Sequence, residues 1–299
     1  MVGQAIGERR RVLRARIEGG GIVSAPGVFE MISAKIADRM GFDCLYMTGY
    51  GAVGSYLGLP DAGLATYTDM LSRASAIAAG TRTPLIADGD TGYGGLLNVA
   101  HTVRGYEAAG IAGIQLEDQE FPKKCGHTPN RRVIALRDMA AKIEVAVDAR
   151  TDPNFLIVAR TDALTSKGID EALERAKAYA KAGADLIFVE APETVDQMKR
   201  ICDTIDKPLV ANMVEGGKTP VLPAKELEAL GYALSIHPSA GFLAMAKAVE
   251  ESYRAILDAG STEPVADRLY DFPAFSELMG FRQVWDFEER YADKAGKAS

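Results

Sequence analysis

Short apolar runs rich in β-branched residues recur along the chain, and each is followed by a longer stretch with helical spacing. The runs are GIVSAPGVF (21–29), DCLYMTG (43–49), TPLIADGD (83–90) and GIQLEDQ (113–119). Four more follow: NFLIVARTD (154–162), ADLIFVEAP (184–192), KPLVANMVEG (207–216) and YALSIHPS (232–239). Between them lie Ala-rich helical segments such as AHTVRGYEAAG, LRDMAAKIEVAVDAR, IDEALERAKAYAKAG and PSAGFLAMAKAVEESYRAIL. Gly41, Gly110, Gly183 and Gly231 stand just before the next run, where a left-handed residue stops a helix. Strict strand–helix alternation predicts parallel strands with helical crossovers. Most of the runs are apolar throughout, as strands covered on both faces are. The pattern predicts an α/β (β/α)8 TIM barrel with extra C-terminal helices; a doubly wound open sheet is the alternative. The barrel is assigned to 1–259 and the helical extension to 260–299. That tail carries Phe272, Phe275, Met279, Phe281 and the single tryptophan, Trp285. Either it covers a second subunit or it folds back on its own barrel.

Composition narrows the function. The 299 residues carry a net charge of −7, which argues against a nucleic-acid partner. No apolar run approaches the length of a membrane span, and the arginine-rich start has no apolar core of a secretory signal. Three scattered cysteines, Cys44, Cys125 and Cys202, read as reduced thiols of a cytoplasmic protein.

Barrel enzymes place their chemistry at the carboxyl ends of the strands. Here those ends carry Thr48-Gly49, Asp88 with Asp90, Glu117 with Asp118, Arg160-Thr161-Asp162, Glu190, Asn212, and Ser235 with His237. A shared site accounts for this recurrence better than separate helix caps. Residues i and i+2 share a strand face, so Asp88 and Asp90 are expected to point together, beside Glu117 on the next strand. Three hard oxygen donors suit Mg2+ or Mn2+ better than Zn2+; the alternative is a lone helix cap. The glycine-rich ADGDTGYGG (87–95) lacks both nucleotide-loop patterns and reads as flexible backbone beside a metal carboxylate. Thr48-Gly49-Tyr50-Gly51 offers backbone N–H groups for a carboxylate, or is only a turn.

The segment FPKKCGHTP (121–129) follows the fourth strand and is bracketed by Pro122 and Pro129, which predicts a long loop over the barrel mouth. Cys125 and His127 supply two ligands at most, too few for a zinc knuckle. Two lysines beside a thiol favour the thiolate, so Cys125 is a candidate proton donor; the alternative is a solvated basic loop with an incidental cysteine.

Taken together, LGLPD (57–61), ADGDTGYG (87–94), LEDQ (116–119), KKCGH (123–127), ARTDA (159–163), VEAP (189–192) and ANMVEGGKTP (211–220) resemble the isocitrate lyase / phosphoenolpyruvate mutase superfamily, on its lyase side. The resemblance implies a barrel whose last helix is exchanged between subunits, in a homotetramer built from dimers. It implies Mg2+ (or Mn2+) held directly by Asp88, with Asp90, Glu117 and Asp61 acting through water. Thr48, Gly49, Tyr50, Lys123, Gly126, Arg160 and Asn212 would bind a small-molecule carboxylate, and Tyr46, His127 and Glu190 would line it as catalytic residues. Cys125 would protonate the departing fragment. The implied reaction cleaves a 2-hydroxy di- or tricarboxylate by a retro-Claisen step, with 2,3-dimethylmalate as the best-fitting substrate because Tyr50 adds bulk to the cradle. The alternatives within the family are 2-methylisocitrate cleavage, oxaloacetate hydrolysis or decarboxylation, and carboxyphosphonoenolpyruvate phosphonomutase chemistry.

Overall fold

The computed structural model describes residues 2–126, 128 and 131–292. The chain opens with helix α1 (Val2–Glu18), then β1 (Val23–Val28), α2 (Met31–Met40) and β2 (Leu45–Met47). Two helices follow, α3 (Gly49–Leu57) and α4 (Tyr67–Gly80), before β3 (Leu85–Asp88), α5 (Leu96–Ala108) and β4 (Gly113–Glu117). Next come α6 (Leu136–Ala149), β5 (Leu156–Thr161), the short α7 (Leu164–Lys167), α8 (Ile169–Lys181) and β6 (Leu186–Val189). The barrel closes through α9 (Val195–Thr204), β7 (Leu209–Asn212), α10 (Ala224–Leu230) and β8 (Leu234–His237). All neighbouring strands pair in parallel, and β8 returns to β1, so the sheet is a closed (β/α)8 barrel rather than an open sheet. The four glycines expected to stop helices all have positive φ, from 82° to 111°.

Two layers of core hold the barrel. Outward side chains such as Leu45, Ala87, Ile114, Ile157 and Ile187 pack under the helices. Inward ones, including Ala25, Tyr46, Ile86, Val158, Phe188, Val210 and Ile236, fill the lumen. Leu13 and Ile17 of α1 belong to the inner cluster, so α1 closes the end where the strands begin. Arg10 fixes that helix. Only 6 % exposed, it donates to the carbonyls of Ile111 (2.9 Å) and Glu107 (2.5 Å) and pairs with Asp152 at 3.2 Å. With that end filled, the opposite end is the one left for ligands.

The chain forms two compact units, Met1–Phe242 and Leu243–Ser299. The second contains most of α11 (Ala240–Ala259), a 3-10 turn (Glu263–Arg268), α12 (Phe272–Met279) and α13 (Phe281–Tyr291). Neither α11 nor α13 has a buried residue, and Tyr253, Leu257, Phe272, Trp285 and Phe287 are each more than half exposed. Among the described residues no helix is long and apolar enough to cross a membrane.

Candidate active site

The site is the polar continuation of the inner apolar layer. Side chains two residues apart on a strand share a face, and on four strands the inward position after the last apolar one is polar. Ile86 is followed by Asp88, Val158 by Arg160, Phe188 by Glu190 and Val210 by Asn212. On β4 the inward series is polar earlier: Gln115 and then Glu117, each 1 % exposed. Register puts Asp88 opposite Gln115 and Glu117 opposite Arg160. The Tyr46 hydroxyl donates to Gln115 Oε1 at 3.0 Å, and Gln115 Nε2 donates to Asp88 Oδ1 at 3.4 Å. Burial first, and then the charge of Asp88, holds the Tyr46 phenol well above its ordinary pKa, so it is a neutral donor.

Asp61, Asp88, Asp90 and Glu117 are all buried, and Lys123 reaches in among them. Its Nζ lies 2.5 Å from Asp61 Oδ1 and 2.7 Å from Asp90 Oδ1. Burial acts to discharge this lysine, but Asp90, Asp88, Asp61 and Glu117 outweigh it and hold its pKa well above the usual value. Asp90 behaves oppositely. Burial, then the like charges of Asp88 and Asp61, push its carboxyl up to about 7 in spite of Lys123. The two shifts agree on one point: a single ammonium does not neutralise four carboxylates. Asp61 Oδ1, Asp90 Oδ1 and Glu117 Oε1 are moreover buried with no well-directed hydrogen bond among the described residues. No three His, Cys, Asp or Glu side chains among those residues are gathered as metal ligands; Lys123 is the cation that Asp61 and Asp90 face. By donor type and by the excess of carboxylate over ammonium, with Glu117 Oε1 left without a partner among the described residues, the set fits a hard divalent cation.

Beside this cluster stands the α3 N-terminus. Thr48 is its N-cap, and Thr48 Oγ1 accepts the Gly51 N–H at 3.5 Å. Gly49 lies against Asp88: a Cβ there would strike Asp88 Oδ2 and come within 3.1 Å of its Cγ. Tyr50 is exposed, with its ring tilted against Phe242 at 5.5 Å. Across the mouth, Arg160 lies over the Phe188 ring at 5.2 Å. It donates from Nε and Nη2 to Asp162, both at 2.9 Å, and pairs with Glu190 at 3.1 Å and Glu117 at 3.4 Å. Asn212 Nδ2 donates to Glu190 Oε2 at 3.2 Å.

The loop after β4 covers these groups. Gln119 holds it by accepting the Lys124 N–H (3.0 Å) and donating to the Lys124 carbonyl (2.8 Å). The Cys125 N–H donates to the Asp61 carbonyl at 3.1 Å, and the Cys125 carbonyl accepts from Thr128 N and Oγ1. Gly126 sits so close to Arg160 and Glu190 that a Cβ would overlap Nη2 of the first and lie 2.8 Å from the carboxyl of the second. The loop therefore brings Cys125, half-buried, to the barrel mouth beside the buried acids and Arg160. His127 lies outside the described residues.

The family model for phosphoenolpyruvate phosphomutase matches residues 13–257. The chain belongs to the phosphoenolpyruvate mutase/isocitrate lyase superfamily. It is 51% identical over 271 residues to the 2,3-dimethylmalate lyase of Eubacterium barkeri, covering 91% of this chain and 94% of that one. It is 43% identical over 287 residues to the 2-methylisocitrate lyase of Aeropyrum pernix, covering 96% and 91%. A solved oxaloacetate acetylhydrolase in complex with 3,3-difluorooxalacetate superposes with a TM-score of 0.90 at 33% identity, over 98% of this chain and 99% of that one. Within the superfamily the protein is a carbon–carbon lyase.

Several features of this lyase differ from the sequence-based expectation. β3 ends at Asp88, and Asp90 sits in the following turn at φ 49°, so the shared strand face is not what brings the two together. The turn does it instead, with the Asp90 N–H donating to Asp88 Oδ1 at 3.1 Å. Nor is the 87–95 segment loose. Tyr106 Oη donates to the Asp88 carbonyl, Thr102 Oγ1 to that of Gly92 and Lys142 Nζ to that of Thr91. Lys123, assigned to the substrate from the sequence, is turned into the acid cluster, where its ammonium faces Asp61 and Asp90. Asp118 faces outward, where it accepts from Thr161, the Asp162 N–H, Arg175 and Tyr179. Ser235 bonds Ser24 on the same outer side, so it too leaves the shared site. Sequence reasoning missed Gln115, although its place two residues before Glu117 on an apolar strand was a usable signal.

Proposed function

We propose that this lyase is Mg2+-dependent and cleaves 2,3-dimethylmalate to pyruvate and propionate. The observation that carries this reading is the seating of Gly126 on Arg160 and Glu190, which brings the Cys125 loop over a floor whose carboxylates exceed their cations. The relative from Eubacterium barkeri supports the substrate, and the relative from Aeropyrum pernix favours 2-methylisocitrate as the second reading.

Asp88, with Asp61, Asp90 and Glu117, would hold the cation; when bound, it supplies electrostatic stabilisation of the negative charge that develops at the C2 oxygen. The remaining work falls to the chain. The N–H groups at the start of α3, with Arg160, bind the carboxylate next to C2, where helix-end donors favour an anion. Glu190 fixes Arg160, and Asn212 fixes Glu190. Tyr46, a neutral phenol tied to Gln115, lies under the substrate. The C2 hydroxyl gives its proton to a carboxylate of the cluster formed by Asp61, Asp88, Asp90 and Glu117. As the C2–C3 bond breaks, its electron pair passes to C3 and the adjoining carboxylate as an enediolate, while the C2–O bond becomes the carbonyl of pyruvate. The Cys125 thiol then donates its proton to C3, giving propionate, and the loop over the site excludes water meanwhile. After that step the cluster's proton returns through water to the Cys125 thiolate. Activity should vanish on dialysis against a chelator and return with Mg2+ or Mn2+; full activity in excess EDTA would remove the cation from this account.

The unburied faces of α11 and α13 support exchange of the C-terminal helices between two copies, with the pairs forming a homotetramer. Truncation after Ala259 should break the assembly, read as a fall in mass by light scattering. A soluble truncated protein of unchanged assembly state would contradict this. The absence of disulfides among the three cysteines suits a cytoplasmic setting.

A further inference from the structure

Arg131 has no part in the chemistry above, yet it is among the most enclosed cations of the barrel, with its side chain 1 % exposed. Its Nε donates to the Thr128 carbonyl at 3.2 Å, its Nη1 pairs with Asp162 Oδ1, and its Nη2 donates to Thr165 Oγ1 at 2.7 Å. Each contact leads somewhere. Thr128 holds the Cys125 carbonyl through both its N–H (3.0 Å) and its hydroxyl (2.7 Å). Asp162 is fully buried and receives the Nε and Nη2 donors of Arg160, the guanidinium against which Gly126 is seated. One carboxylate is thus shared by two arginines, one facing the substrate region and one gripping the thiol loop.

We propose that Arg131 is a positioning residue for the lyase reaction: through Asp162 and the Thr128 carbonyl it makes seating of the Cys125 loop and orientation of Arg160 a single event. The physical basis is the planar guanidinium fork, which satisfies three acceptors in fixed directions. When the loop lifts, Arg131 loses the Thr128 acceptor and keeps only Asp162 and Thr165, so the seated arrangement is the one in which all three of its acceptors are met. A bound carboxylate that orders Arg160 thereby favours the seated loop. The inference rests on the reading of the site as a carboxylate-binding lyase centre with Cys125 on its covering loop.

The test uses the full-length protein with Mg2+ and oxalate, a planar dianion that resembles a 2-oxo acid. Iodoacetamide labelling of Cys125 is followed by mass spectrometry, and oxalate binding is measured separately by calorimetry. In the wild type, saturating oxalate should slow labelling. In Arg131→Met the protection at saturating oxalate should fall about tenfold or more, as expected for loss of a charge-assisted hydrogen-bond set. Arg131→Lys should recover part of it, and Thr165→Val, a milder change that keeps the arginine, should lose a few-fold. A merely structural role would lower the melting temperature and leave the protection of the folded fraction unchanged. If Arg131→Met folds and is protected as well as the wild type, the inference is overturned and the site reading stands. If it does not fold, unchanged protection in both Arg131→Lys and Thr165→Val overturns it equally. If oxalate fails to protect the wild type, both the inference and the covering-loop reading fall.

Discussion

Replacing Cys125 by serine should lower the cleavage rate by at least about two orders of magnitude, the contribution expected of a positioned acid. The substitution is conservative in space. The backbone of Cys125 is fixed from both sides, by its N–H on the Asp61 carbonyl and by Thr128 on its own carbonyl, and neither contact uses the sulfur. What changes is proton donation, because a serine hydroxyl ionises far above any working pH. Mg2+ and oxalate should therefore bind the variant about as tightly as the wild type, measured by calorimetry. A serine variant that cleaves at the wild-type rate would show that the proton comes from elsewhere. A variant that loses Mg2+ affinity would instead assign the loop to the cation site.

The Gly126→Ala variant should lose a comparable amount of activity for a different reason. A single added methyl meets Arg160 Nη2 and lies 2.8 Å from the Glu190 carboxyl, two groups themselves held by Asp162 and Asn212. Neither side chain can give way without leaving a buried charge unpaired, so the loop has to stand off. A misplacement on the order of 1 Å costs roughly a hundredfold in rate. The barrel itself is untouched, so the melting temperature should change little while kcat falls. An alanine variant with wild-type kcat would mean that the loop need not seat on Arg160 for turnover.

The barrel was legible because the strands repeat a short pattern, an apolar run with polar residues at its carboxyl end, and four of them follow a helix-stopping glycine. Ile86 to Asp88 and Val158 to Arg160 show why the site was legible with it, since a period of two that fills the lumen with apolar groups delivers polar ones at its rim. The same alternation explains two over-readings. Asp118 and Ser235 also end strands, but their parity sends them outward under the helices. Asp90 does lie beside Asp88, but a shared strand face is not the cause, because the turn after β3 decides its direction. Lys123 and Arg131 were beyond reach of pattern alone. Their partners, Asp61 and Asp162, stand 62 and 31 residues away, and only the folded loop selects them. Helix α1 closes the lumen through Leu13 and Ile17, yet the arginine that fixes it finds its acceptors about a hundred residues on, at the end of α5 and just before β4.

Carbon NMR of the purified protein with Mg2+ tests the central claim most directly, with 2,3-dimethylmalate, 2-methylisocitrate and oxaloacetate supplied in parallel. The account predicts pyruvate and propionate in equal amounts from 2,3-dimethylmalate, faster than any product from the other two and abolished by chelation. Persistence of 2,3-dimethylmalate while oxaloacetate or 2-methylisocitrate is consumed would contradict it.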